Sequence, residues 1–168
     1  PNTAPVAACF TAFSPARPLE AWLSRAHESR GGYNEKLDQK LRVSVIAIRA
    51  RGYEVTLKTR AEAELTRELG RIHNAWSLTE LEDVANQYQR SLCDEHYHLD
   101  RIDPKARYEV STISVPVFAS RDVPVMCFVA GSFDHLVSGA QIEEIASRLQ
   151  SSAERVTEMA RRGYGSGD

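Results

Sequence analysis

The period of the hydrophobic positions changes several times along this chain, and the changes divide it into elements. Leu19, Trp22, Leu23 and Ala26 recur at three- and four-residue spacing, and so do Leu37, Leu41, Val45 and Ile48. Each set falls on one stripe of a helix. Ser14-Pro15 supplies the cap and first turn of the earlier helix, and Arg30-Gly31-Gly32 stops it. Asn34 opens the later one, and Arg49, Arg51 and Gly52 give it a basic last turn and a glycine stop. Ahead of both, the small apolar run Pro5–Phe13 predicts a short helix with Ala7, Phe10 and Phe13 toward a core. After Gly52 the period falls to two over Tyr53–Leu57, which predicts a short strand.

From Lys58 to Arg107 the chain is charged and mostly helical in spacing. Ala61–Ile72 reads as one helix, broken near Gly70–Asn74. Ser77-x-x-Glu80 is a capping box opening another, with Leu78, Leu81, Val84, Ala85 and Tyr88 on its apolar face and Leu92 extending it. The pair predicts an αα-hairpin, closed by a turn at Asp103-Pro104.

The stretch Ile113–Ser132 follows. Ile113, Val115 and Val117 share one side of a strand, and Ser114, Pro116 and Phe118 the other. Val123–Ala130 is apolar on both sides and reads as a strand buried on both faces. A polar turn at Ala119–Asp122 joins the two, which predicts a hairpin at the centre of a sheet. Ser138-x-x-Gln141 is a second capping box. Ile142, Ile145, Leu149, Ala153, Val156 and Met159 run down one side of the helix it opens. The Gly/Ser-rich end, 164–168, is expected to be disordered.

Composition adds bounds. The 168 residues suffice for one domain with a core, expected over 1–163. A net charge of -2 disfavours strong nucleic-acid binding by this chain alone. No apolar run is long enough for a membrane span, and the N-terminal residues lack a signal-type pattern. The three cysteines, Cys9, Cys93 and Cys127, are odd in number and widely spaced; Cys9 and Cys127 lie in apolar runs and fit buried thiols, and the set fits a reducing, cytoplasmic setting.

Several groups invite chemistry. Pro1 compares with enzymes that use an N-terminal proline amine, but a terminal position alone is no sign of catalysis. Cys93, His96 and His98, with Asp100 nearby, form the densest set of metal-ligand types, although their spacing matches no structural zinc pattern. A solvated helix end is the plainer reading. Cys9 and Cys127 are the cysteines in ordered apolar runs, where inert thiols far outnumber nucleophiles. Trp22 and Trp76 read as packing residues. Thr112, Ser114, Val129, Gly131 and Ser132 mix small and polar groups at the hairpin ends, where either a pocket or a covering helix fits.

Three stretches carry a family resemblance. They are TAPVAACFTAFSP at Thr3–Pro15, IRARGYEV at Ile48–Val55 and ISVPVFASRDVPVMCFVAG at Ile113–Gly131. In this order, and followed by the capped helix after Leu136, they resemble the effector-binding region of IclR-type transcriptional regulators. The resemblance implies an α+β, GAF-like fold, with an antiparallel sheet flanked by helices and a small-molecule pocket on one face. It implies a homodimer or tetramer, no cofactor and no catalysis. It also implies a winged helix-turn-helix upstream, through which alone the full protein would touch DNA. Family ligand contacts map to Ala4, Pro5 and Val6, to Thr56, to Thr112, and to Val129 and Gly131. Val6 stands where the family has glycine and Thr56 where it has an acidic residue, so the expected effector is organic and fairly apolar. Residues 58–107 stand as a helical insertion in place of a short connection. Two other classes remain: a small metal- or cysteine-dependent enzyme using Cys93, His96 and His98, and an interaction module built on the charged helical segment.

Overall fold

The computed structural model describes residues 4–14, 16–71, 77–120 and 123–164. The expectations on Pro1, Pro15, Trp76, the Arg121–Asp122 turn and the tail beyond Tyr164 lie outside them. The elements are α1 (Ala8–Phe13), α2 (Ala16–Ser29), α3 (Glu35–Arg51), β1 (Glu54–Leu57), α4 (Arg60–Arg71), α5 (Leu78–Asp94), β2 (Arg107–Tyr108), β3 (Val110–Ser120), β4 (Val123–Gly131), β5 (Val137–Ser138) and α6 (Gly139–Tyr164).

The helix boundaries follow local chemistry. Asn34 accepts from Leu37 N at α3, and Gly52 ends that helix at φ 86°, a left-handed conformation that suits glycine. Both capping boxes form. Ser77 and Glu80 bond reciprocally at α5, and Ser138 N donates to Gln141 Oε1 at 2.9 Å while Gln141 N donates to Ser138 Oγ at 3.3 Å at α6. Gly139 opens α6 against the turn at 103–104, where an added Cβ would lie 2.1 Å from the Asp103 carbonyl oxygen.

β1, β3 and β4 form an antiparallel sheet in the order β1-β3-β4, and β2 and β5 pair separately. Val55 faces Ile113 across β1–β3, and Val115 faces Phe128 across β3–β4. Segment 97–99 covers the outer edge of β1: Leu57 N donates to Tyr97 O and Leu99 N to Val55 O, at 2.8 and 3.0 Å. The sheet is flanked by helices, α6 on one face and α1 on the other. Two cores result. Val55, Ile113, Val115 and Val117 pack with Ile142, Ala146 and Ala153 of α6. Ala4, Ala8 and Ala12 pack with Trp22, Leu23 and Ala26 of α2 and Leu37, Leu41, Val45 and Ile48 of α3. Among the described residues, no helix is long and apolar enough to cross a membrane.

The structure corrects several expectations. β3, not the whole hairpin, is the centre, because β4 is the last strand of the sheet. β4 is therefore not buried on both faces: Val123, Val125, Met126 and Val129 are exposed. An apolar run carries no information about how many neighbours a strand finds. On α1 the core stripe is Ala8, Cys9, Thr11 and Ala12, with Ala7, Phe10 and Phe13 half-buried. A left-handed Ala7 starts the helix later and rotates the face. Ser14 Oγ donates back to Phe10 O at 2.7 Å, so it closes α1. Leu81 and Ala85 of α5 are exposed, because α5 packs on α4 along one narrow side. Met159 is 71% exposed at the far end of α6.

Candidate functional site

The alternation that points Ile113, Val115 and Val117 at α6 turns Thr112, Ser114 and Pro116 to the opposite face. Register carries that face across the sheet. Thr56 and Gly131 flank Thr112, Glu54 and Val129 flank Ser114, and Cys127 lies opposite Pro116. One side of the sheet is thus apolar and the other largely polar.

At the middle of the polar face sits a buried carboxylate. Glu54 Oε2 accepts from Cys9 N at 3.1 Å, and Glu54 Oε1 lies 3.0 Å from His98 Nε2. Glu54 and His98 are 5% and 3% exposed. A carboxylate so deep is tolerated only with donors around it, and α1 and segment 97–99 each supply one. His98 arrives there because the chain after α5 runs alongside β1, with His98 bridged to Thr56. Arg51 fixes that segment from below, its Nη1 donating to Leu99 O at 2.5 Å. Burial raises the Tyr97 phenol well above its ordinary range, with Glu54 adding to it.

At the end of the same face the sheet opens. Thr56 Oγ1 accepts from Thr112 N at 3.1 Å and lies 2.7 Å from Thr112 Oγ1. Beside Thr112 is a cleft of about 430 Å³ lined by Lys58, Glu62, Ser111, Thr112, Gly131, Ser132, Phe133 and Asp134. The volume suits a small organic ligand. Its walls are tied in place: Ser111 Oγ donates to Glu62 Oε1 at 2.9 Å, and Lys58 Nζ donates to Phe133 O. The adjacent His135 holds the Asp134 carboxyl below the usual carboxylate range. Gly131 presents no side chain, so backbone and open space form that wall. The cleft offers three hydroxyls, an ammonium, two carboxylates and one aromatic edge. It is more polar than the fairly apolar effector expected from Val6 and Thr56.

The predicted contacts divide. Thr112 and Gly131 line this cleft, and Thr56 holds Thr112 from behind. Val129 lies on the same face one pair along, 56% exposed. Ala4, Pro5 and Val6 are not brought to the cleft. Ala4 and Pro5 are buried, Trp22 Nε1 donates to Val6 O at 2.9 Å, and the Cys93 thiol points at Ala4 O. Packing against α2 and α5 holds this turn in the helical core. Cys93, His96 and His98 are separated too: Cys93 is in that core, His96 is exposed, and His98 is spent on Glu54. Among the described residues no group of three metal-ligating side chains converges. A second cleft, about 410 Å³, lies between Phe13, Phe118 and α6 and includes Glu154 and Thr157.

Sequence reasoning marked Ser132 at the hairpin end but missed Lys58, Glu62, Ser111, Phe133 and Asp134, and the Glu54–His98 pair. Glu54 alternates with Thr56 and so had to share its face, but nothing local signals a histidine 44 residues away. No protein-family model matches the chain, and neither does any curated protein or solved structure.

Proposed function

We propose that this chain is the small-molecule-sensing and oligomerisation domain of an IclR-type transcriptional regulator, with a GAF-like fold. The observation that carries the reading is the cleft at the end of the polar sheet face, lined by Thr112 and Gly131 and backed by Thr56. All three positions are ones at which the family resemblance implies ligand contacts. The α+β architecture, with helices on both faces of an antiparallel sheet, supports it.

On this reading the effector is a small polar organic molecule, held by the Thr112 hydroxyl, Lys58 and the Phe133 edge. Such a ligand shifts the protein toward whichever arrangement of subunits binds it better, and the upstream DNA-binding domains follow. α2 and α6 carry that change between subunits of a homodimer or tetramer in the cytoplasm. The test is a thermal-shift screen of the chain against a library of small organic acids, alcohols and aromatic compounds. Saturable stabilisation by a compound class supports a sensor. No stabilisation by any compound, with a monomer in sedimentation, removes the reading.

A further inference from the structure

Cys9 and Cys127 were read from the sequence as two separate buried thiols, but the fold sets them against each other. Cys9 is the second residue of α1, the helix laid on the polar sheet face. Its backbone N is held by Glu54, and its Sγ lies 3.9 Å from Ser114 O. Cys127 projects from β4 opposite Pro116, the next β3 residue on that face after Ser114. α1 packs on both β3 and β4, so Cys9 and Cys127 are neighbours on that face and act on each other electrostatically. Cys9 is buried and Cys127 is half-buried, so one member of the pair is reachable from solvent.

We propose that Cys9 and Cys127 form a peroxide-oxidisable dithiol whose disulfide locks α1 to the edge strand β4. This is a second input to the molecule, independent of any ligand in the cleft by Thr112. The pair divides the chemistry unevenly. The neighbouring Cys9 thiol holds Cys127 below the ordinary thiol range, against burial and Glu54. Cys127 and burial together push the Cys9 thiol far above it. Cys127, the half-buried member that peroxide can reach, is therefore the attacking sulfur, and the buried Cys9 the resolving one.

The Cys127 thiolate attacks hydrogen peroxide. An S–O bond forms, the O–O bond breaks, and hydroxide leaves and is protonated to water. The Cys9 sulfur then attacks the sulfenic sulfur. The S–S bond forms, the S–O bond breaks, and the oxygen departs as water with the Cys9 proton. Two thiols lose two electrons in all, and one peroxide becomes two waters. Thiols on packed, neighbouring elements need side-chain rotation and an approach of α1 to reach the ~2.05 Å of a disulfide. α1 is short and ends on its own Ser14 bond, so it can follow.

Cys93 is the internal control. It lies in the helical core, where burial raises its thiol pKa, and its Sγ donates to Ala4 O at 3.9 Å. The chain is treated with a molar equivalent of hydrogen peroxide, quenched with iodoacetamide, digested and read by peptide mass. The expected product joins the Cys9 and Cys127 peptides with loss of two hydrogens, leaves Cys93 alkylated, and forms no covalent dimer. Cys127 is consumed on the order of tenfold faster than Cys93. In Cys9→Ser, dimedone traps Cys127 as the sulfenic acid. The proposal is overturned by an alkylated Cys9 beside an oxidised Cys127 in the unmutated chain, by a dimer linked through Cys127, or by an unreactive Cys127.

Discussion

Thr56 Oγ1 and Thr112 Oγ1 stand 2.7 Å apart across β1 and β3, and Thr56 Oγ1 also accepts the Thr112 backbone N–H at 3.1 Å. One hydroxyl thus completes the sheet edge and positions the other at the cleft. Thr56→Val leaves a backbone donor without its partner at a residue 3% exposed. It is expected to cost about 1–2 kcal/mol in urea unfolding. Thr112→Val, at a half-buried position, should cost under about 1 kcal/mol yet weaken any ligand bound in the cleft. Equal stability losses for the two would mean that the hydroxyls share one purely structural role.

Glu54 satisfies donors from two elements at once, Cys9 N and His98 Nε2. Glu54→Ala strands both, and the expected loss is about 3 kcal/mol by chemical denaturation. Glu54→Gln keeps one acceptor oxygen and should lose roughly half as much. An alanine variant as stable as the parent would place that carboxylate outside the folded core.

Asp38 joins α3 to α2. Burial would raise its carboxyl, but bonds from Arg42 Nε at 2.6 Å and His27 Nε2 at 3.2 Å outweigh it, and the net direction is downward. With its folded pKa below the unfolded one, Asp38 contributes full stability above the unfolded value near ~3.9. That contribution is lost as pH falls through the folded value. Asp38→Asn should therefore cost about 1–3 kcal/mol at neutral pH and flatten the acid limb of a stability-versus-pH curve. An unchanged acid limb would show that other carboxylates govern it.

Val125 tests where the sheet ends. At 54% exposed on β4, its change to lysine should shift stability by no more than about 0.5 kcal/mol. A core strand, as the apolar run alone implies, would lose several times that. The measurement is the urea midpoint of Val125→Lys.

Much of this fold was legible in the sequence because caps and periods are local. Asn34, Ser77-x-x-Glu80 and Ser138-x-x-Gln141 each marked a helix start within a residue of where it lies. Strand order is not local, and so Val123–Ala130 read as buried when it is the outer strand. The candidate site divides the same way. Thr112 and Gly131 came from alternation and motif order, whereas Lys58 and Glu62 reach the cleft only because α4 follows β1 so closely. The pairing of Glu54 with His98, and of Cys9 with Cys127, depends on elements folding back across the sheet. No spacing rule reports that.

Gly131 gives access to the cleft without touching the core. A Cβ there would meet nothing closer than Ser111 O at 3.4 Å, an ordinary contact, so Gly131→Leu fills the opening while the strand folds. The decisive measurement is the thermal shift of both proteins with the best-stabilising compound from the library at about 100 times its Kd. The unmutated chain is predicted to gain roughly 5–10 °C and Gly131→Leu essentially nothing. Equal stabilisation of the two would contradict the account, because the compound would then bind elsewhere.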